Sequence, residues 1–389
     1  RGLLNNRKMN KAAEEHLREW GIDDIPIDIK AGALSIEQRK LVELVRALSV
    51  DPDILILDEI TQALSHDKRE LLYKIMTRCT EMGKTIIAVT HDIDEMLRIT
   101  DNITVLRDGS VVGTVKSSET SDSTLRRMMI GREISGDYYR SDYEESGQEE
   151  VILSVQNLTT RKIRDISFDL HKGEILAVCG LSDAGIRELG KAMCGLVEHR
   201  TGKVVDMKSG KNLKTLEDIV KVDGAYLSKD RDGDGLMLNA SVKDNLFMPS
   251  AKKLANRVGF IAPGKIKDLT SEAVTSMSIK TFDPYEQKVV SLSGGNKQKV
   301  NLSRWLIQDL NFMILDCPTR GVDVGVKAYI YRVMEEAKEE GLAIVMITDE
   351  LPEAIGMADR IIVLKAGSIA QVFKRSEKVT EESIIEVMM

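Results

Sequence analysis

The chain has 389 residues, 42% of them apolar and 30% charged, a globular composition that excludes a wholly disordered protein and is long for one average domain. A net charge of −7 and an aromatic content of 4% argue against a nucleic-acid partner held by phosphate neutralisation or base stacking. Four scattered cysteines with no CxxC pair, no apolar run near the roughly 18–20 residues of a membrane span and no secretory signal point to a soluble intracellular protein of two domains.

Residues Arg1 to Lys30 are mostly polar, with a helical pattern around Ala12, Ala13 and Leu17, and supply no strand to open a domain. Leu34-Ser35 then precedes a helix whose apolar residues Leu41, Leu44, Val45 and Leu48 recur at i, i+3, i+4, i+7. A buried-strand run, Ile54 to Leu57, ends in Asp58-Glu59. A polar helix, a second strand from Thr85 to Val89, His91, a short helix and a last strand from Ile103 to Leu106 follow. From Gly131 to Glu150 the chain carries seven acids against two arginines and reads as an exposed linker. Val151 to Cys179 gives short strands with a turn signal at Lys172-Gly173.

The chain repeats itself. At a constant offset of 258 residues, and without a gap, Leu34-Ser35 maps onto Leu292-Ser293, Asp58 onto Asp316, Thr61 onto Thr319 and Gly83 onto Gly341. Thr90 maps onto Thr348, Asp101 onto Asp359 and Gly109 onto Gly367 at that same offset. A period this long means two copies of a domain rather than a solenoid. Strands alternating with helices predict an α/β fold with a mostly parallel sheet covered on both faces. The expected domains are 1–130, the C-terminal part of a first copy; 131–150, the linker; and 151–389, a second copy with the front half that the first lacks. The missing half is expected upstream of Arg1.

The strand Ile175 to Val178 runs into Gly180-Leu181-Ser182-Asp183-Ala184-Gly185 and a helix beginning near Glu188. Strand, glycine loop and helix is the context of a phosphate-binding loop, and the GxxxxG spacing fits. Ile186 stands where a lysine would reach the terminal phosphates, and Arg187 where a hydroxyl would hold magnesium. Asp183 adds a negative charge that costs roughly 1–4 kcal/mol at about 4–6 Å from a phosphate. Alone, the loop is equally an ordinary strand-to-helix turn.

Leu292-Ser293-Gly294-Gly295-Asn296 opens an amphipathic helix, and the strand Phe312 to Leu315 ends in Asp316. Here the chain resembles the ATP-binding cassette (ABC) ATPases, with Leu292 to Asn296 as their signature motif and Phe312 to Asp316 as their Walker B strand. Residues Leu292 to Val300, together with Thr319 to Gly325, resemble the tandem-cassette ATPase subunit of monosaccharide importers of the ribose/galactose/xylose type. The resemblance extends from about Ala31 to the C-terminus. It implies two ABC-type nucleotide-binding domains, each with an antiparallel β subdomain and a helical subdomain, the first one incomplete. It also implies ATP and magnesium, permease subunits, indirectly a periplasmic or extracellular sugar-binding protein, and the cytoplasmic face of the membrane.

In that family each ATP site is built from both copies. One site would use Asp58 to orient magnesium through water, Glu59 to polarise the attacking water and His91 to contact the γ-phosphate. Ser293, Gly294, Gly295 and Asn296 would close over that phosphate. The other site would be degenerate. Its loop, Gly180, Asp183, Gly185, Ile186 and Arg187, lacks the working side chains. Cys317 follows Asp316 in place of the glutamate, and Asp349 stands in place of the histidine. Its signature, Ser35-Ile36-Glu37, has lost both glycines, so Ile36 would block close backbone approach and Glu37 would face the phosphate as another anion. Taken singly, Asp58-Glu59 also fits a helix-start acid pair, His91 a structural histidine, and Glu37 and Asp183 solvated surface charges. A catalytically silent scaffold and a non-transport tandem ATPase remain the rival functions.

Overall fold

The computed structural model describes residues 5–90, 92–107, 110–130, 138–140, 149–181, 183–198, 201–376 and 378–389. The chain divides into two compact units, Arg1–Glu133 and Ile134–Met389. Among the described residues no helix is long and apolar enough to cross a membrane.

Unit 1 contains α1 (Asn6–Glu19), α2 (Ile36–Leu48), β1 (Ile54–Asp58), α3 (His66–Glu81), β2 (Thr85–Val89), α4 (Ile93–Ile99), β3 (Asn102–Arg107), β4 (Ser110–Lys116) and α5 (Asp122–Ile130). Helix α2 starts where Ser35 forms a capping box with Gln38, each side chain taking the other's backbone N–H at 3.1 Å. The β1 and β2 strands pair in parallel, and β3 and β4 form an antiparallel hairpin. Leu55 and Leu57 face a core with Leu41, Leu44 and Leu48 of α2 and Leu72, Ile75 and Cys79 of α3. The other face of the β1–β2 pair is bare: Ile54 is 58%, Ile56 65%, Ile87 49% and Val89 50% exposed.

Unit 2 opens with β5 (Val151–Thr159), β6 (Ile166–His171), β7 (Ile175–Gly180), α6 (Ile186–Met193), β8 (Thr201–Asp206), β9 (Lys211–Asn212), α7 (Leu216–Lys221) and β10 (Gly224–Leu227). A helical portion follows: α8 (Val242–Phe247), α9 (Ala251–Leu254), α10 (Pro263–Ser276) and α11 (Gly294–Leu306). The chain finishes with β11 (Phe312–Asp316), α12 (Val324–Glu339), β12 (Ala343–Ile347), α13 (Leu351–Met357), β13 (Arg360–Lys365), β14 (Ser368–Lys374) and α14 (Glu381–Met388). A six-stranded sheet has the order β10-β11-β12-β7-β13-β14, parallel except for β14. A separate antiparallel sheet has the order β6-β5-β8-β9. Phe312, Ile314, Val345 and Ile347, the residues 258 positions after the four bare ones of unit 1, are fully buried here with Ile186, Leu189 and Met193 of α6.

The bounds of α2, β1, α3, β2, α4, β3 and β4 recur without change 258 residues later, at α11, β11, α12, β12, α13, β13 and β14. The irregularity between Val105 and Leu106 recurs between Val363 and Leu364. In each unit a hairpin followed by a helix therefore stands where the sequence suggested a single last strand.

The linker expectation needs correction at its centre. Tyr138 and Tyr139 pack against Tyr331 of α12, with ring centroids 5.6 and 5.3 Å away. Arg140 is buried, and its guanidinium meets the Asp359 carboxylate at 2.9 Å and the Met357 carbonyl at 3.1 Å. Arg375 in turn donates to the Arg140 carbonyl at 3.0 Å. Residues 138–140 thus belong to the fold of unit 2, because a desolvated carboxylate requires a cation that the surrounding acidic composition concealed. Residues 131–137 and 141–148 of the expected linker lie outside the described residues.

Candidate functional site: a phosphate loop and two strand-end acids

In unit 2, β7 delivers the glycine loop beneath the start of α6. Both glycines are fixed by packing. A Cβ on Gly180 would lie 2.6 Å from the Leu364 carbonyl oxygen, and Gly185 takes φ 91° with Ile163 2.7 Å from where its Cβ would be. Ile186 turns inward, 1% exposed, into the core beside Leu189. Asp183 stays exposed, and Ser182 lies outside the described residues.

The side chains around the loop are partly paired, with Arg187 Nε and Asp316 Oδ1 buried and without a hydrogen-bond partner among the described residues. Arg187 donates to Asp349 Oδ2 at 2.5 Å, and Lys229 donates to the same oxygen at 2.9 Å. Tyr226 donates to Asp316 Oδ2 at 3.3 Å. Asp316 Oδ1 is buried with no hydrogen bond of normal geometry, the neighbouring Cys317 thiol being a weak donor. Burial raises the Asp316 pKa, and the Arg187 charge opposes that shift. Burial works against the Arg187 charge, but the Asp349 and Asp316 carboxylates outweigh it and leave its pKa raised. The Cys317 thiol is pushed well above its ordinary range by burial and by Asp349 and Asp316, so it remains a neutral thiol at pH 7.

Unit 1 presents Asp58 and Glu59 at the end of β1, both exposed. Glu59 has φ 46° and donates its N–H to the Val89 carbonyl at 2.9 Å. Cys317 has φ 51° and donates to Ile347 at 2.8 Å. The left-handed turn after the strand is thus kept in both units, at a cost of about 1–2 kcal/mol for a residue other than glycine, while its side chain differs. His91 lies outside the described residues. Its neighbours repeat too. The Thr61 and Thr90 hydroxyls donate to Glu95, as those of Thr319 and Thr348 donate to Glu353. Sequence reading missed Glu95 and Glu353, although an acid recurring at the offset of 258 was there to be found.

Two expectations change at the helix starts. Glu37 does not stand as a free anion: its Oε1 accepts from the Ser65 backbone N–H at 2.7 Å and the Ser65 hydroxyl at 2.6 Å, just ahead of α3. In unit 2 the matching helix, α12, is capped by its own Asp323, which accepts from Val326 N at 2.9 Å. Glu37 therefore brings a carboxylate from α2 to the N-cap residue Ser65, accepting from that residue itself and not from a first-turn N–H as Asp323 does. Asn296 is likewise engaged. Its Oδ1 accepts from Lys280 N at 2.8 Å and its Nδ2 donates to Ser293 Oγ at 2.9 Å, so its amide shapes the turn. Ser293 caps α11, the Gly294 carbonyl accepts from Arg231 at 3.0 Å, and a Cβ on Gly295 would lie 2.7 Å from Val326.

Comparisons place this geometry. The ABC transporter family profile matches residues 163–320, from just before the glycine loop to just after Cys317. The chain is 37% identical, over 391 aligned positions, to the ribose import ATP-binding protein RbsA of Lactococcus lactis subsp. cremoris, covering 99% of this chain and 77% of that protein. It belongs to the ABC transporter ATP-binding family. The protein of the same name from Caldanaerobacter subterraneus subsp. tengcongensis is 34% identical over 97% of this chain and 75% of its own length. Among solved structures, cbiO1 of Clostridium perfringens, part of the ABC transporter complex cbiONQ, superposes with a TM-score of 0.50. It is 20% identical and covers 61% of this chain and 94% of its own, which shows the cassette fold. The chain is therefore an ABC-type ATPase that uses ATP with magnesium. Unit 2's cradle does not fit that pair: it offers a buried isoleucine and an ion-paired arginine where phosphate and metal need a lysine and a hydroxyl. Asp58 and Glu59 do fit, as exposed strand-end carboxylates with the donor chemistry of a hydrated magnesium ion and an attacking water.

Proposed function

We propose that this chain is the ATP-binding subunit that energises uptake of a monosaccharide, of the ribose/galactose/xylose kind, through permease subunits at the cytoplasmic face of the membrane. A sugar-binding protein would deliver the cargo to the permease. The observation that carries this reading is the identity of 34–37% with proteins named for ribose import along 97–99% of the chain.

Two cassettes in tandem are supported by element bounds that recur at one offset. The bare apolar face of Ile54, Ile56, Ile87 and Val89 is where a layer matching α6 of unit 2 would pack. Of the two ATP sites, the competent one uses Asp58 for magnesium through water, Glu59 to polarise the attacking water and His91 against the γ-phosphate. Ser293, Gly294 and Gly295 of unit 2 offer a hydroxyl and backbone N–H groups at a helix N-terminus, the chemistry that binds a phosphate. The degenerate set comprises Gly180, Asp183, Gly185, Ile186, Arg187, Asp316, Cys317 and Asp349 of unit 2, and the signature residues Ser35 and Glu37 of unit 1. Retention of Asp58-Glu59 favours this division over a wholly silent scaffold. Closure on ATP and reopening on hydrolysis would follow from the differential affinity of closed and open states.

The test is to delete the gene in its source cells and measure uptake of labelled ribose, galactose and xylose. Loss of uptake of one sugar, restored by the wild-type gene and not by Glu59→Gln, is expected. Unchanged uptake of all three refutes the reading.

A further inference from the structure

A buried glutamate ties down the turn that carries Glu59. Glu95, in the first turn of α4, is 6% exposed. Its Oε2 accepts from the Thr61 hydroxyl at 2.9 Å and from the Thr90 hydroxyl at 2.8 Å. Its Oε1 accepts from the Tyr73 hydroxyl of α3 at 3.2 Å. Thr61 lies two residues after Glu59, and Thr90 follows Val89, whose carbonyl takes the Glu59 N–H at 2.9 Å. One carboxylate oxygen thus holds the exits of β1 and β2 together, just beyond the hydrogen bond that closes them. Glu59 needs such a brace. Its φ of 46° is left-handed, a conformation that a glutamate holds only where its surroundings impose it. The matching network in unit 2 is one donor short. Thr319 and Thr348 donate to separate oxygens of Glu353. The hydroxyl of Tyr331, 258 residues after Tyr73, is buried with no hydrogen-bond partner among the described residues. The turn braced there carries Cys317.

We propose that Glu95 is a positioning residue for ATP hydrolysis, whose carboxylate, bridging Thr61 and Thr90, holds the turn that aims Glu59. This rests on the reading of Glu59 as the group that polarises the attacking water, and adds the residue that aims it. Glu95 acts through the backbone and not on the reacting atoms. A buried carboxylate suits the task. It accepts several hydroxyls at once, and in a low-dielectric interior each bond to its charge is stronger than a neutral one. Removing it strands those hydroxyls. The geometry it guards is exacting, since a displacement of about 1 Å at a reacting group can cost about 100-fold in rate. The duplication supplies an internal control. Both units have the network as structure, but only unit 1 has a glutamate for it to aim.

ATP turnover and thermal unfolding are measured on the complete gene product in complex with its permease. Glu95→Ala and Thr61→Val are expected to lower kcat by about 10- to 100-fold with KM for ATP unchanged, because Glu59 acts on water and not on ATP binding. Glu95→Gln should keep most of the turnover. Its amide oxygen can accept both threonine hydroxyls while its NH2 group donates to Tyr73. Glu353→Ala should lower the unfolding temperature as Glu95→Ala does and leave kcat as in wild type. Equal falls in kcat for Glu95→Ala and Glu353→Ala would make the network a brace of the fold alone and overturn the proposal. So would full turnover in Glu95→Ala. If Glu95→Ala does not fold, Thr61→Val decides, since it keeps the side chain's shape and removes one arm. A fall in kcat at unchanged KM then upholds the proposal, and a wild-type kcat overturns it. Full turnover in Glu59→Gln would instead sink the reading of Glu59 itself, and the proposal with it.

Discussion

Replacing Arg140 by alanine asks whether the segment after residue 137 is part of unit 2. The Arg140 and Asp359 side chains are 1% and 4% exposed and sit 2.9 Å apart. Without Arg140, Asp359 would keep Lys338 at 3.3 Å and the Ile175 N–H at 2.8 Å. Breaking a buried pair by removing one partner costs about 3–5 kcal/mol, and the remaining lysine puts this case at the low end, about 3 kcal/mol. For a unit of this size that is a fall of about 6–12 °C in unfolding temperature. The chain has two tryptophans, Trp20 in unit 1 and Trp305 in unit 2, so a Trp20→Phe background leaves Trp305 as a reporter of unit 2 alone. Heat and urea unfolding followed by Trp305 fluorescence give the shift. A change below about 1 kcal/mol would mean that residues 138–140 are a tether resting on the surface.

Gly295→Ala should destabilise unit 2 by about 1–3 kcal/mol, because the new methyl falls 2.7 Å from Val326. Adding Val326→Ala should return most of that loss in urea unfolding; a double variant no more stable than the single one refutes the packing argument. Glu37→Ala should cost about 0.5–2 kcal/mol, since Ser65 loses its acceptor at the start of α3. Hydrogen exchange should quicken in the first turn of α3, and unchanged exchange there would assign Glu37 to solvent.

The repeat was legible because a constant offset needs no geometry: identical residues at Asp58 and Asp316, or Thr90 and Thr348, fix the order of strands and helices directly. The strand ends and helix starts followed from apolar runs and caps, which act over a few residues. The partners across long separations were not legible. Glu37 finds Ser65 across 28 residues, and Arg187 finds Asp349 across 162. The composition of each segment holds no trace of either contact. Gly295 was read as room for a phosphate, whereas the structure also requires it for the approach of α12. Arg140 was read with its acidic neighbours as solvated, because a composition window averages away the one side chain that is buried. In each case the local chemistry was right and the partner was missing.

The central claim is one working ATP site and one degenerate site. It is tested most directly by trapping nucleotide on the complete gene product carrying Glu59→Gln, in complex with its permease. After a single exposure to labelled Mg-ATP and rapid removal of the free nucleotide, the account predicts one ATP retained per chain. Two ATP per chain would show that the Arg187–Asp349 site binds nucleotide, and none would show that Asp58 and Glu59 serve no site at all.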